Sequence, residues 1–113
     1  MMDATRDVLA FARKFGAHVG TTPAVPPDEV VALRSKLIDE EFQELMQAIG
    51  VDDLPAIAKE SVDLIYVVVG TLIAYGISPV EFWQAVHEAK LAGSDEVQPL
   101  DVAELLKMQS ELA

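Results

Sequence analysis

The chain has 113 residues, 51% of them apolar, and eight basic against nineteen acidic side chains, so its formal charge is 8 − 19 = −11. That length suits one ordinary domain with a real core, and that charge repels nucleic-acid backbones and anionic membranes, so direct binding of duplex nucleic acid or a membrane is not expected. With no cysteine there is neither a disulfide framework nor a thiolate metal site, and the opening MMDATRD lacks the pattern of a secretory signal, so a cytoplasmic location is expected.

From residue 3 to 16, Val8, Leu9, Ala12 and Phe15 recur at helical intervals, with Phe11 adjacent and Gly16 as a stop, which predicts a first helix. Gly20 to Pro27 (GTTPAVPP) holds three prolines and reads as an extended connector. A second helix is expected from Asp28 to Ile49. Its apolar residues form two stripes, Ile38, Phe42, Leu45 and Ile49 on one and Leu33, Leu37 and Ala48 on the other, which predicts burial on both sides.

The turn Gly50-Val51-Asp52-Asp53 breaks the pattern; Asp53 can cap a third helix running to Tyr75, with Pro55 in its first turn. Val67-Val68-Val69 would also suit a strand, but the length of the apolar run decides for a helix. Leu64 to Ile77 is free of charge over fourteen residues, short of the ~20 needed to cross a bilayer, and reads as a core helix. Ser78-Pro79-Val80-Glu81 has the form of a capping box with proline at the first helical position. It predicts a fourth helix ending near Gly93.

The chain is then polar through Pro99, and Leu100, Val102, Ala103, Leu105 and Leu106 suggest a short terminal helix or docking tail within 94–113. The whole reads as one all-α domain, residues 1–113, a bundle of four to five helices. Helix three is apolar all round, and a chain this short covers it most easily by pairing with a second copy.

Two acidic clusters stand out, Glu40-Glu41-Phe42-Gln43-Glu44 and Glu60-Ser61-Val62-Asp63. Residues three apart share a helix face, so Glu41 with Glu44, and Glu60 with Asp63, can converge on one cation from facing helices. Oxygen ligands without histidine or cysteine suit Mg²⁺, with Mn²⁺ as a substitute, and that chemistry points to phosphate substrates. Asp63 heads the charge-free run, where an unpaired carboxylate would cost several kcal/mol and a metal would remove that cost. The plainer alternative is a solvated face on which the glutamates pair with Arg34 or Lys36; it suits the first cluster alone better than both clusters in sequence.

LRSKLIDEEFQELMQAI and ESVDLIYVVVGTLIAYGI, with fifteen residues between Glu44 and Glu60, resemble the all-α nucleoside triphosphate pyrophosphohydrolase superfamily of MazG proteins, dimeric dUTPases, dCTPases and phosphoribosyl-ATP pyrophosphohydrolases. The shared pattern is E-E-x-x-E, a spacer and E-x-x-D, and the similarity runs from about Val8 to Gly93. The resemblance implies a MazG-like bundle assembled as a homodimer or homotetramer, with Mg²⁺ held by Glu41, Glu44, Glu60 and Asp63. It further implies Glu40 as the residue that orients or deprotonates the attacking water, in a reaction turning a nucleoside triphosphate into NMP and pyrophosphate.

Relatives often continue after helix four as V-H-x-x-N-x-x-K, but here Val86-His87 are followed by Lys90 and Gly93 at the asparagine and lysine positions. Lys90 is the candidate to bind phosphate in their place. His87 reads as structural rather than functional. Phe11 and Phe15 are the nucleoside-binding candidates, because the first helix lines the nucleoside side in some relatives; Tyr66, Phe82 and Trp83 read as core or interface. Two rival functions remain open, phosphoribosyl-ATP pyrophosphohydrolase and a non-catalytic helical module binding a metal or a partner. A di-iron bundle is disfavoured because neither His18 nor His87 follows a glutamate by three positions.

Overall fold

A computed structural model describes residues 3–93 and 99–112. It contains α1 (Ala4–Phe15), α2 (Asp28–Gly50), α3 (Leu54–Ala74), α4 (Pro79–Leu91) and α5 (Pro99–Leu112), and no strand among the described residues. The all-α reading therefore holds, including a helix through the Val67-Val68-Val69 triplet. Residues 94–98 of the expected tail lie outside the described part.

Helix ends follow local chemistry. Asp3 caps α1 by accepting from Arg6 N, and Gly16 closes it in the left-handed conformation, φ 68°. Asp53 caps α3 by accepting from Ala56 N at 3.1 Å. At α4 the expected capping box is not made, since the Ser78 side chain makes no capping bond. Gln109 of α5 takes those partners instead. Its Oε1 accepts from Ser78 N at 2.9 Å, and its Nε2 donates to Ser78 O at 2.9 Å and to Glu81 Oε2 at 3.3 Å. A side-chain amide offers both an acceptor and donors, so one residue from α5 satisfies the start of α4.

The antiparallel pair α2–α3 forms the spine, α1 packs on α3, and α4 meets α5. The connector closes over the end of α3, with Gly20 N donating to Ile73 O and Ala24 N to Tyr75 O, each at 3.0 Å. This strap needs glycine, because a Cβ on Gly20 would stand 2.5 Å from Gly76 N. Gly76 itself has φ +70° and faces Thr22.

Few described residues of the single chain are buried: Val8, Ala12, Ala48, Ile73 and Ala74 form the apolar core, and Pro26 is buried in the connector. Burial of α2 on both sides is not achieved within one chain; Leu33, Phe42, Met46 and Ile49 are about half exposed. The reason is geometric. α4 leaves α3 at 119° and does not fold back along it, so Val62, Ile65 and Val68 of α3 also stay exposed. The radius of gyration is 15.5 Å, against about 13 Å for a compact domain of roughly this size. No single helix is long and apolar enough to cross a membrane.

Candidate metal centre

Because α2 and α3 run antiparallel from the tight turn at Val51–Asp53, residues near 41 of α2 face residues near 60 of α3. Glu41, Glu60 and Asp63 each bring a carboxylate oxygen to within 4.8 Å of the others. Glu44, one turn beyond Glu41, borders the same cluster. Its carboxyl is held above the usual range, first because the Glu60 carboxyl lies within hydrogen-bonding reach and then because the charges of Glu41 and Glu60 oppose its own.

Glu41 Oε2 and Glu60 Oε2 are buried and have no hydrogen-bond partner. Buried carboxylate oxygens without partners are costly. The cluster is therefore incomplete as a purely structural network, and an all-oxygen donor set with two orphaned oxygens fits a hard divalent cation. Part of its charge is already offset by Lys59, whose Nζ lies 2.7 Å from Asp63 Oδ2 and 3.3 Å from Glu60 Oε1. Those carboxylates hold the lysine's proton more firmly than in water.

The other expected residues fall in different places. Glu40 is half exposed and pairs with Lys36 across 3.8 Å, so the solvated-face alternative describes this residue while Glu41 turns inward. Arg34, the other basic residue considered for that face, forms no ion pair among the described residues. It instead lies between α2 and α3, with Nη2 donating to Val67 O at 2.7 Å and Nε to Thr71 Oγ1 at 3.1 Å.

Phe11 and Phe15 touch, centroids 4.8 Å apart, but only Phe11 lines the cavity of about 200 Å³ between α1, α2 and α3, beside Tyr66, His18 and Arg34. Phe15 lies outside it, 66% exposed, with Lys14 Nζ 5.6 Å from its ring centre. His87 and Lys90 are exposed on α4.

Sequence reasoning passed over two of these participants. Lys59 precedes Asp63 by four residues, a spacing that signals a helix-surface pair and makes it findable. The seating of Arg34 against α3 had no sequence signal beyond the presence of a glycine, Gly70, within an apolar helix.

The geometry has a counterpart among known proteins: residues 8–90 match the model of the phosphoribosyl-ATP pyrophosphohydrolase family. The chain belongs to this family. A phosphoribosyl-ATP pyrophosphohydrolase-family fold accounts for the helical architecture and makes the chain a pyrophosphohydrolase of nucleotide-like substrates by family, one whose members depend on a metal. The match begins at Val8 in α1 and ends at Lys90 in α4, so it spans the acidic cluster and the cavity and leaves α5 outside. No curated protein matches the chain.

Proposed function

We propose that the protein hydrolyses a nucleoside triphosphate at the α-phosphorus, releasing NMP and pyrophosphate, in a nucleotide-pool house-cleaning role. The observation that carries the reading is the inward cluster of Glu41, Glu60 and Asp63 with two orphaned buried oxygens, flanked by Glu44 and about one helical turn from the nearest lining residues of an aromatic cavity, Leu37 and Tyr66. In this reading Glu41, Glu44, Glu60 and Asp63 would hold Mg²⁺, with Mn²⁺ as a substitute. Bound there, the metal supplies positive charge to a polyanionic substrate and acidifies water, which also explains how an acidic protein accepts a triphosphate.

The chain's own groups do the rest. Glu40, at the solvent edge next to Glu41, takes the proton of the attacking water as its oxygen bonds to the α-phosphorus and the bond to the bridging oxygen breaks. Lys59, which contacts Asp63 and Glu60, would offset part of the cluster's charge in the metal-free protein. Phe11 and Tyr66 flank the base, and Lys90 of α4 meets the phosphates. Exposed apolar residues on α2, α3 and α4, Trp83 at 74% among them, support a homodimer or homotetramer in which a second copy covers these faces.

The test is release of pyrophosphate, as distinct from orthophosphate, from a panel of canonical, deoxy and modified nucleotides with Mg²⁺ or Mn²⁺. Glu41→Gln should abolish it. A second reading, hydrolysis of phosphoribosyl-ATP, has the family match itself in its favour; turnover of that substrate with none of free nucleotides would decide for it. Neither turnover, with metal bound, would point to a non-catalytic module, in keeping with the missing N-x-x-K pair.

A further inference from the structure

The cavity between α1, α2 and α3 has a mainly apolar wall with three polar side chains in it, Arg34, His18 and Tyr66. Phe11 and Tyr66 meet edge to face, centroids 5.7 Å apart and planes at 87°, and Leu37 and Val67 add aliphatic surface. Arg34 is the permanently charged group in the lining. A guanidinium carries five N–H donors. Two are committed, to Thr71 Oγ1 and Val67 O, and among the described residues no carboxylate pairs with it.

The seat for this side chain is built. Thr71 Oγ1 accepts from Arg34 while its own hydroxyl donates to Val67 O at 2.8 Å, so the orientation of the fork is fixed against α3. Gly70 makes room for it, since a Cβ there would stand 2.5 Å from Arg34 Nη2. Glycine is disfavoured within a helix relative to alanine, and here it leaves the guanidinium space beside the cavity.

Position relates the fork to the acidic cluster. Arg34 precedes Glu41 by seven residues on α2, and Gly70 follows Asp63 by seven on α3. Seven residues are nearly two turns, so Arg34 shares Glu41's helix face at a separation of roughly 10 Å. That is comparable to the span from the 5′-phosphorus of a nucleotide to the far edge of its base.

We propose that Arg34 is a specificity-determining residue that selects bases presenting an exocyclic oxo group at this edge, a 6-oxopurine or a 4-oxopyrimidine, over their amino counterparts. The inference rests on the pyrophosphohydrolase reading of the acidic cluster, which places the α-phosphate there. A neutral base with a carbonyl offers its flat apolar faces to Phe11 and Tyr66 and an acceptor to the free donors. An amino group at the same edge sets donor against donor and leaves both unpaired. A phosphate group suits the cavity poorly, because its walls are mainly aromatic and aliphatic and one guanidinium with one imidazole does not replace the hydration of a dianion.

Two pairs of ligands that differ at one exocyclic group test this, inosine against adenosine nucleotides and uridine against cytidine nucleotides. Calorimetric binding of IMP and AMP needs no turnover. The wild-type protein should bind IMP about ten- to a hundredfold more tightly, Arg34→Met should erase the difference, and Arg34→Lys should retain part of it. With Mg²⁺ present, kcat/KM for ITP over ATP and for UTP over CTP should follow the same order. Equal binding of IMP and AMP by the wild type overturns the inference even if no variant folds. So does an unchanged preference in a folded Arg34→Met protein, which would leave Arg34 as a clamp between helices, and so does binding of ribose 5-phosphate that Arg34→Met abolishes, which would make the cavity a phosphate subsite. Oxo-selective binding without pyrophosphate release would sustain the inference and sink the proposed reaction, so the two failures are distinguishable.

Discussion

Lys59 Nζ sits 2.7 Å from Asp63 Oδ2, one turn away on α3, and also contacts Glu60 at 3.3 Å. The ammonium thus occupies the flank of the cluster proposed to hold Mg²⁺. A monovalent charge on a flexible stem is displaced more readily than a coordinated divalent ion, so Lys59 competes with the metal. Lys59→Met should tighten Mg²⁺ binding severalfold by calorimetry, and the wild-type disadvantage should shrink at high ionic strength. Weaker metal binding in the variant would show that Lys59 supports the site.

Glu41 and Glu40 are neighbours in sequence with opposite surroundings, one with an orphaned buried oxygen and the other half exposed and paired with Lys36. Glu41→Gln should lose metal binding and turnover together. Glu40→Gln should keep Mg²⁺ affinity within a few-fold and lower kcat by about 10²–10⁴. If Glu40→Gln retains wild-type kcat, the base lies elsewhere.

The raised pKa of Glu44, caused first by the Glu60 carboxyl and then by the charge of Glu41 and Glu60, has a definite sign. A carboxyl whose folded pKa lies above its ordinary 4.5 contributes stability that is fully present below the ordinary value and is lost as pH rises through the folded one. The metal-free protein should therefore lose this contribution on going from about pH 4.5 upward, and Mg²⁺, which needs the ionised group, should bind more tightly over the same window. Calorimetry in buffers of different ionisation enthalpy should show proton release on Mg²⁺ binding near the raised pKa, and Glu44→Gln should reduce it.

Gly20 approaches the end of α3 so closely that a Cβ would meet the backbone of Gly76 at 2.5 Å. Backbone cannot rotate away as a side chain can. Gly20→Ala should destabilise by about 1–3 kcal/mol through overpacking, lowering Tm by roughly 5–10 °C, with little change in metal affinity because the strap lies at the far end of α3 from Glu60. An unchanged Tm would mean that the strap is not packed as described.

Trp83, on α4, is 74% exposed in the single chain. In the proposed oligomer it is covered, so light scattering should give a multiple of 12.3 kDa and Trp83 emission should be blue-shifted. Trp83→Asp should weaken assembly. A species of 12.3 kDa with red-shifted emission would count against the oligomer.

Much of this was legible in the chain. Helical periodicity, Asp53 at a cap, Gly16 after Phe15 and the length of the run after Asp63 set the helices, because these are local effects of backbone sterics and hydrogen bonding. The i, i+3 carboxylates declared two half-sites for the same reason. Tertiary structure decided what depends on partners distant in sequence. Packing of α2 against α3 brought Glu41, Glu60 and Asp63 together and left Glu40 to Lys36; Gln109, 31 residues from Ser78, replaced the expected capping box. Arg34 settled over Gly70 and Thr71, on the next helix, where no local pattern could place it. Local propensity acts over a few residues, whereas a side chain's burial and hydrogen-bond partners are fixed only when helices meet.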